Sequence, residues 1–441
     1  MQFQEPCYPS WAGYQTRIYS SLLPPKLSTD SSRWESEALA CMPSRNYNYI
    51  YGTAGQGRTQ RANLDAFSRY RFIPHVLSGA TVRDLSVTLF GKKFPSPILV
   101  SPIGVQSIAH PQAEVASARA AAKLNVPFIL STASSTNMET VAEAHAAASI
   151  SVDNTEFTKP DRWYQLYWPK DDKLTVSLLR RAEVSGFSVL VVTLDTFSLG
   201  FRPADLDQSY LPFIWGEGCA IGFNDPVFTE KYSKQLAGPM LSIFQKLKLL
   251  VKKSRGSISL FFALLWWHKK VFKSLAWISE VFSGTHKTWE DLKLLRDCWN
   301  GPIVLKGIQS VEDAHLAIKH GMNGIVVSNH GGRQADGAIA SLDALEKITA
   351  DEVVRKSNLT IMFDSGVRTG SDILTALALG AKAVLIGRPY IYGLALGGQE
   401  GVEHVLQCLL ADADITMANL GRKNIAELDR RILNLEIVDG S

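Results

Sequence analysis

A chain of 441 residues, 46% hydrophobic and 20% charged, can bury a large core, and this composition excludes the disordered and fibrous classes. The net charge of +4 is slight for that length and excludes a general affinity for nucleic acid. Cys7, Cys41, Cys219, Cys298 and Cys408 stand apart without a Cys-x-x-Cys pair, which disfavours a zinc site or a disulfide framework and fits a reducing compartment; no metal site is expected.

Met1 to Ser10 has neither a basic nor an apolar signal region, and the chain does not end in Ser-Lys-Leu, so the cytoplasm is the expected location. Residues 1–95 read as a helical extension leading into residues 96–441. From Pro97 onward, short β-rich runs alternate with amphipathic helical stretches. The predicted strands are Pro97 to Pro102, Pro127 to Thr132, Trp163 to Trp168, Ser188 to Leu194, Ile303 to Gly307, Gly324 to Ser328, Thr360 to Asp364 and Ala383 to Gly387. Most are apolar on both faces, as buried parallel strands are. Helices are predicted over Gln112 to Leu124, Met138 to Ala148, Thr175 to Ser185, Val311 to His320 and Gly370 to Leu379. Eight such units predict an α/β chain closed as a (β/α)8 TIM barrel. An open doubly wound sheet is the rival, but no Gly-x-Gly-x-x-Gly follows the first strand.

Barrel enzymes place their chemistry at the C-terminal ends of the strands. Asp195 ends the fourth strand there, Lys306 lies near the end of the fifth, His330 and Arg333 follow the sixth, and Asp364 ends the seventh. Between the fourth and fifth strands lies an insertion, Ala204 to Lys287. Within it, Lys246 to Lys273 carries eight Lys or Arg and no acid around the apolar run Ile258 to Trp267. That run is too short to span a bilayer, where about 20 residues are needed. A surface helix with a solvated basic face is expected, so membrane contact is not; a basic amphipathic helix lying on a membrane is the alternative.

Ser328-Asn329-His330-Gly331-Gly332-Arg333-Gln334 delivers an imidazole and a guanidinium three positions apart, with two glycines that allow close approach. The imidazole can take a proton near neutral pH, and the guanidinium fork matches a carboxylate. Chemistry on a small organic acid is implied; a tight turn with a packed His and a surface Arg is the bland alternative. After the seventh strand comes Asp364-Ser365-Gly366-Val367-Arg368, and after the eighth Gly387-Arg388-Pro389. Gly/Arg loops at these two positions are where many barrels hold a phosphate. Without a Walker loop, a phosphorylated cofactor or a sugar phosphate is expected rather than a nucleoside triphosphate.

Together with Ala62-Asn63, Ala66-Phe67, Ala118-Arg119-Ala120-Ala121, Tyr164-Gln165-Leu166-Tyr167, Thr193-Leu194-Asp195-Thr196 and Val304-Leu305-Lys306-Gly307, these motifs resemble the FMN-dependent α-hydroxy acid oxidase family. Ser365 and Pro102-Ile103-Gly104-Val105 resemble its lactate 2-monooxygenase branch. The resemblance implies FMN as cofactor and His330 as the base, with Asp195 stabilising the imidazolium. It also implies Arg333, Arg202 and Tyr49 around the substrate carboxylate, and Tyr167 at the substrate hydroxyl. Lys306, Ser131, Gln165 and Thr193 would surround the flavin ring. Ser328, Asp364, Ser365, Gly366, Arg368, Gly387 and Arg388 would complete the cofactor site. Gly104, where most members carry alanine, implies a changed cavity beside the reactive nitrogen; a residue that merely tightens packing is the alternative.

The expected reaction is therefore oxidation of a small, lactate-like L-2-hydroxy acid with O2 as acceptor, with coupled oxidative decarboxylation as the branch implies, by a homo-oligomer, tetramer or octamer. A tailoring oxidase of a larger hydroxy acid or secondary metabolite, a peripheral membrane dehydrogenase and a flavin-free sugar-phosphate barrel are the alternatives.

Overall fold

The computed structural model describes residues 10–149, 156–237 and 258–435. Eight strands, β1 Ile98–Val100, β2 Phe128–Ser131, β3 Arg162–Tyr167, β4 Leu190–Thr193, β5 Ile303–Ile308, β6 Gly324–Val327, β7 Thr360–Phe363 and β8 Ala383–Ile386, form a closed barrel. All neighbours pair in parallel, and β8 closes onto β1 through the register Val384↔Ile98 and Ile386↔Val100. Each strand is buried along nearly its whole length, because its outer face lies under helices and its inner face fills the barrel.

The interior layer includes Leu99, Ile129, Trp163, Val191, Val304, Val326, Met362 and Leu385. A hairpin of Val87–Leu89 and Lys92–Phe94 adds Leu89 and Phe94 to it and sets Phe90 5.7 Å from Trp163. This plug closes the N-terminal mouth, so the opening for a ligand lies at the other end. The N-terminal extension is accordingly more than its four helices, Gly13–Ser20, Trp34–Cys41, Ser44–Tyr51 and Arg58–Ser68. Tyr70–Phe72 also pairs antiparallel with Leu433–Leu435 and ties it to the end of the chain.

The register between β5 and β6 shifts across Lys306 and Ile308, at Gly307. Gly307 has φ +103°, and a Cβ there would lie 2.8 Å from Asp195 Cβ, so this bulge requires glycine. It brings the end of β5 against the end of β4, where the polar residues gather.

The insertion after β4 folds as the short turns Pro203–Leu206, Pro212–Trp215 and Ala220–Phe223 and the helices Pro226–Ala237 and Ile258–Val281. Trp277, 1% exposed, anchors the last helix: its ring packs 5.2 Å from Phe228 and fills the space where a side chain on Gly222 would stand. Lys273 donates to the Phe223 carbonyl at 3.1 Å, and Glu280 pairs with Lys231 at 3.0 Å. Much of the basic stretch Lys246 to Lys273 lies outside the described residues. Among the described residues no helix is long and apolar enough to cross a membrane.

Candidate active site

The chain after β6 turns sharply. His330 has φ +58° and Gly331 +64°, a left-handed pair that lifts the imidazole into the mouth of the barrel. Asn329 holds the turn by accepting from the Gly332 amide at 3.1 Å, while its own amide exchanges hydrogen bonds with Asn63 at 2.7 and 2.8 Å. His330 Nδ1 lies 2.8 Å from Asp195 Oδ1 and 3.1 Å from Thr196 Oγ1, and the Thr196 hydroxyl donates to the same carboxylate oxygen at 2.7 Å. This network assigns the ring proton to Nδ1 and leaves the lone pair on Nε2, which lies 3.5 Å from the Tyr167 hydroxyl. Burial pulls the His330 pKa below its ordinary value against the opposing pull of Asp195. The imidazole is therefore neutral at pH 7. Burial would raise Asp195, but His330 and Lys306 hold it below the usual carboxylate range, so it stays charged. Its second oxygen, Oδ2, is buried without a hydrogen-bond partner among the described residues.

Arg333 and Arg202 reach the same mouth from different directions. The Arg333 guanidinium sits 5.3 Å over the Tyr49 ring and donates to the carbonyls of Ile50 and Gly52 at 2.9 and 2.8 Å. Arg202 is held by the Arg333 carbonyl at 3.0 Å and the Gln334 side chain at 2.8 Å. Burial, and then the Arg333 charge, lower its pKa to about 10. Burial raises Tyr49 and Tyr167, so both phenols remain protonated donors.

On the opposite side, Lys306 Nζ pairs with Asp364 Oδ2 at 2.7 Å and donates to Ser328 Oγ at 2.9 Å. Ser131, Gln165 and Thr193, at the ends of β2, β3 and β4, form one chain: Ser131 Oγ to Gln165 Oε1 at 3.0 Å, then Gln165 Nε2 to Thr193 Oγ1 at 2.9 Å. Thr193 lines the cleft, whereas Ser131, Gln165 and Ser328 stand behind its wall. Ser365 sits at φ +85°, costly for a residue with a side chain. It offsets that cost by accepting from the Gly331 amide at 3.0 Å and donating to Asp364 at 2.8 Å. Gly366 has φ +93°, and a Cβ there would lie 2.5 Å from the Asn63 carbonyl oxygen, so only glycine fits.

The N-terminus of the helix Arg388–Asn419 opens on the cleft at Gly387, where a side chain would meet nothing closer than 3.9 Å. Arg388 donates to the carbonyls of Gly331 and Tyr51 at 3.0 Å each, and burial lowers its pKa to about 10.

At Gly104, which lines the cleft, the packing alternative is favoured. A Cβ there would lie 2.4 Å from the Ala133 carbonyl oxygen, so the missing side chain makes room for the β2 loop rather than for a ligand.

The cleft is lined by five cations, Arg202, Lys306, Arg333, Arg368 and Arg388, but by one carboxylate, Asp364, with Asp195 behind His330 as a second. Such an excess of buried positive charge calls for anionic ligands. A phosphate fits between the helix N-terminus, Arg368, Arg388 and the open space at Gly387. A flat ring fits between that end and the Thr193–Lys306 edge, and a second anion fits at Arg202 and Arg333. These residues thus match FMN together with a carboxylic acid. Among the described residues no cluster of His, Cys, Asp or Glu could hold a metal ion.

Several residues of the mouth escaped the sequence reading. Thr196 could have been noticed, since a hydroxyl beside a strand-end carboxylate can orient it. Phe213 and Phe282, which close the mouth from the insertion, carry no such signal, because nothing local says which face of an irregular segment turns inward.

Residues 38–435 match the profile of the FMN-dependent dehydrogenase family. The chain is 44% identical to the FMN-dependent alpha-hydroxy acid dehydrogenase qulF of Penicillium citrinum, covering 96% of this chain and 95% of that one. It is 37% identical to an L-lactate oxidase of Lysinibacillus sphaericus (strain C3-41), covering 90% of each. To the 2-hydroxyacid oxidase 1 of Homo sapiens it is 34% identical, over 91% of this chain and 95% of that one. Among solved structures, a mandelate oxidase superposes with a TM-score of 0.72 at 29% identity, covering 93% of this chain and all of that one.

Proposed function

The chain belongs to the FMN-dependent dehydrogenase family, an oxidoreductase acting on α-hydroxy acids with FMN as cofactor, and from that premise we propose that it oxidises a lactate-like L-2-hydroxy acid with O2 as acceptor. One observation carries the reading: a neutral imidazole, two protonated phenols and a guanidinium pair share one cleft whose remaining cations suit a phosphate.

Arg333 and Arg202 bind the substrate carboxylate, with Tyr49 adding a hydrogen bond. Tyr167 donates to the substrate hydroxyl oxygen. His330 Nε2 accepts the proton released as the alcohol carbon is oxidised, and Asp195 stabilises the imidazolium that results. When bound, FMN supplies the two-electron acceptor. Lys306, fixed by Asp364 and Ser328, keeps a positive charge beside the ring site. Thr193 presents its hydroxyl to the same ring, held from behind by Gln165 and, through it, Ser131. Asp364, Ser365, Gly366, Arg368, Gly387 and Arg388 take the ribityl chain and phosphate, and Gly104 lets the β1 and β2 loops meet beside them.

A second reading couples oxidation to decarboxylation: lactate plus O2 gives acetate, CO2 and water. It is favoured by the cover that Phe213 and Phe282 place over the mouth, which would retain the keto acid. Stoichiometric free H2O2 and pyruvate under air would exclude it.

The test is anaerobic. The purified protein should be yellow, release FMN on denaturation and bleach on mixing with L-lactate. His330→Ala should keep its FMN and lose bleaching by at least about a hundredfold; bleaching at the wild-type rate would remove His330 from the base role.

A further inference from the structure

The mouth of the cleft has an apolar side that the oxidation chemistry does not use. Four aromatic rings run around it in unbroken contact: Tyr49 to Phe213 at 6.3 Å, Phe213 to Phe282 at 5.3 Å, and Phe282 to Tyr167 at 5.1 Å between centroids. The two ends of this arc carry polar chemistry, Tyr49 beneath the Arg333 guanidinium and Tyr167 beside His330. The two middle rings carry no polar atom, and the cleft lining beside them is completed by Leu199, Val105 and Ala133. All five cations of the lining belong to the carboxylate, ring and phosphate ends.

The arc is also built rigidly. A Cβ on Gly218 would lie 2.7 Å from Val105, 2.8 Å from Phe213 and 2.8 Å from the Ala133 carbonyl, so the insertion is pressed against the β1 and β2 loops with no slack. Phe282 continues the Ile258–Val281 helix through its amide to Ile278 at 2.8 Å, and Gly284 is pinned to the Phe197 carbonyl at 2.9 Å.

Resting on the hydroxy acid reading above, we propose that the substrate carries an uncharged apolar side chain larger than methyl, branched alkyl or aryl, which lies against Phe213 and Phe282. A 2-hydroxy acid with its carboxylate at the Tyr49 end and its hydroxyl at the Tyr167 end has one heavy substituent left, and the wall between those ends is apolar. A methyl group would leave most of that wall uncovered. A second carboxylate or a hydroxyl would lose its water there and gain no partner.

Anaerobic flavin reduction by the holoenzyme ranks a series of L-2-hydroxy acids by kcat/KM. The 4-methylpentanoate and 3-phenylpropanoate members are expected to exceed lactate by at least about tenfold, from the added apolar contact alone. Malate and glycerate are expected to fall below lactate. Phe282→Ala and, separately, Phe213→Ala are expected to lower kcat/KM for the larger acids about tenfold, chiefly through KM, and to narrow their advantage over lactate. Equal or better turnover of lactate, glycolate or malate by the wild-type enzyme overturns the inference while leaving the hydroxy acid reading intact. Failure of every acid in the series to bleach the flavin overturns both.

Discussion

The state of His330 is set by what stands on its far side. Asp195 and Thr196 bind Nδ1, so the lone pair of Nε2 faces the cleft, and burial keeps the ring neutral. The rate of anaerobic flavin reduction should therefore rise with pH through an acid limb centred below the usual histidine value of about 6.5 and stay level above it. Asp195 opposes the depression, since its charge favours the imidazolium. Asp195→Asn should slow reduction by about 10²- to 10⁴-fold and move the limb to still lower pH. A limb that stays in place while the rate falls would reduce Asp195 to a packing role. His330 and Arg333 were legible in the sequence because they sit three residues apart after an apolar strand. Tyr49 and Arg202 were not legible from their own surroundings and entered only through family resemblance: their neighbours along the chain say nothing of a site assembled from distant segments. At Gly104 two outcomes were open from the sequence, a changed cavity or tighter packing, and the carbonyl of Ala133, 2.4 Å from where a Cβ would stand, favours the second.

At the scale of elements, the eight strands matched the sequence pattern to within a residue or two at most of their ends, as with Pro127 to Thr132 against Phe128–Ser131. Continuous apolar runs bounded by turn residues leave a buried parallel strand little freedom to shift. The insertion after β4 was different. Its position was visible, but its inner face was set by contacts that no periodicity encodes, such as Trp277 lying over Gly222. Trp277→Ala should cost about 3–5 kcal/mol, as large-to-small changes in a core do, and should appear as a lower melting temperature. Phe282 lies five residues further along, so KM for the hydroxy acid should rise as well. An unchanged KM in a destabilised variant would show that the helix closes the mouth without shaping it.

At the scale of the molecule, plug and mouth divide the work. The hairpin at Val87–Phe94 seals the lower end of the barrel, and positive charge accumulates at the upper end, where five cations outnumber the carboxylates of Asp364 and Asp195. That accumulation opposes folding unless anions occupy the cleft. FMN should thus stabilise the protein by more than its ring contacts provide. Protein stripped of FMN is expected to melt at a lower temperature, and FMN at a hundredfold excess over its Kd should restore about 2.7 kcal/mol. Inorganic phosphate should recover part of that gain by filling the helix N-terminal end. Equal melting temperatures with and without FMN would contradict the charge argument.

The sequence by itself determined the barrel, the rim on which its polar residues gather, and the placement of His330 and Arg333 there, because each follows from periodicity or from residues a few positions apart. The tertiary structure decided which far-apart side chains share the mouth, Tyr49, Arg202, Phe213 and Phe282 among them, and whether the space at Gly104 is open. Those outcomes depend on the packing of segments separated by up to some 280 residues, as between Arg333 and Ile50. Packing at that range is fixed by the shapes of both partners, and neither segment carries the shape of the other.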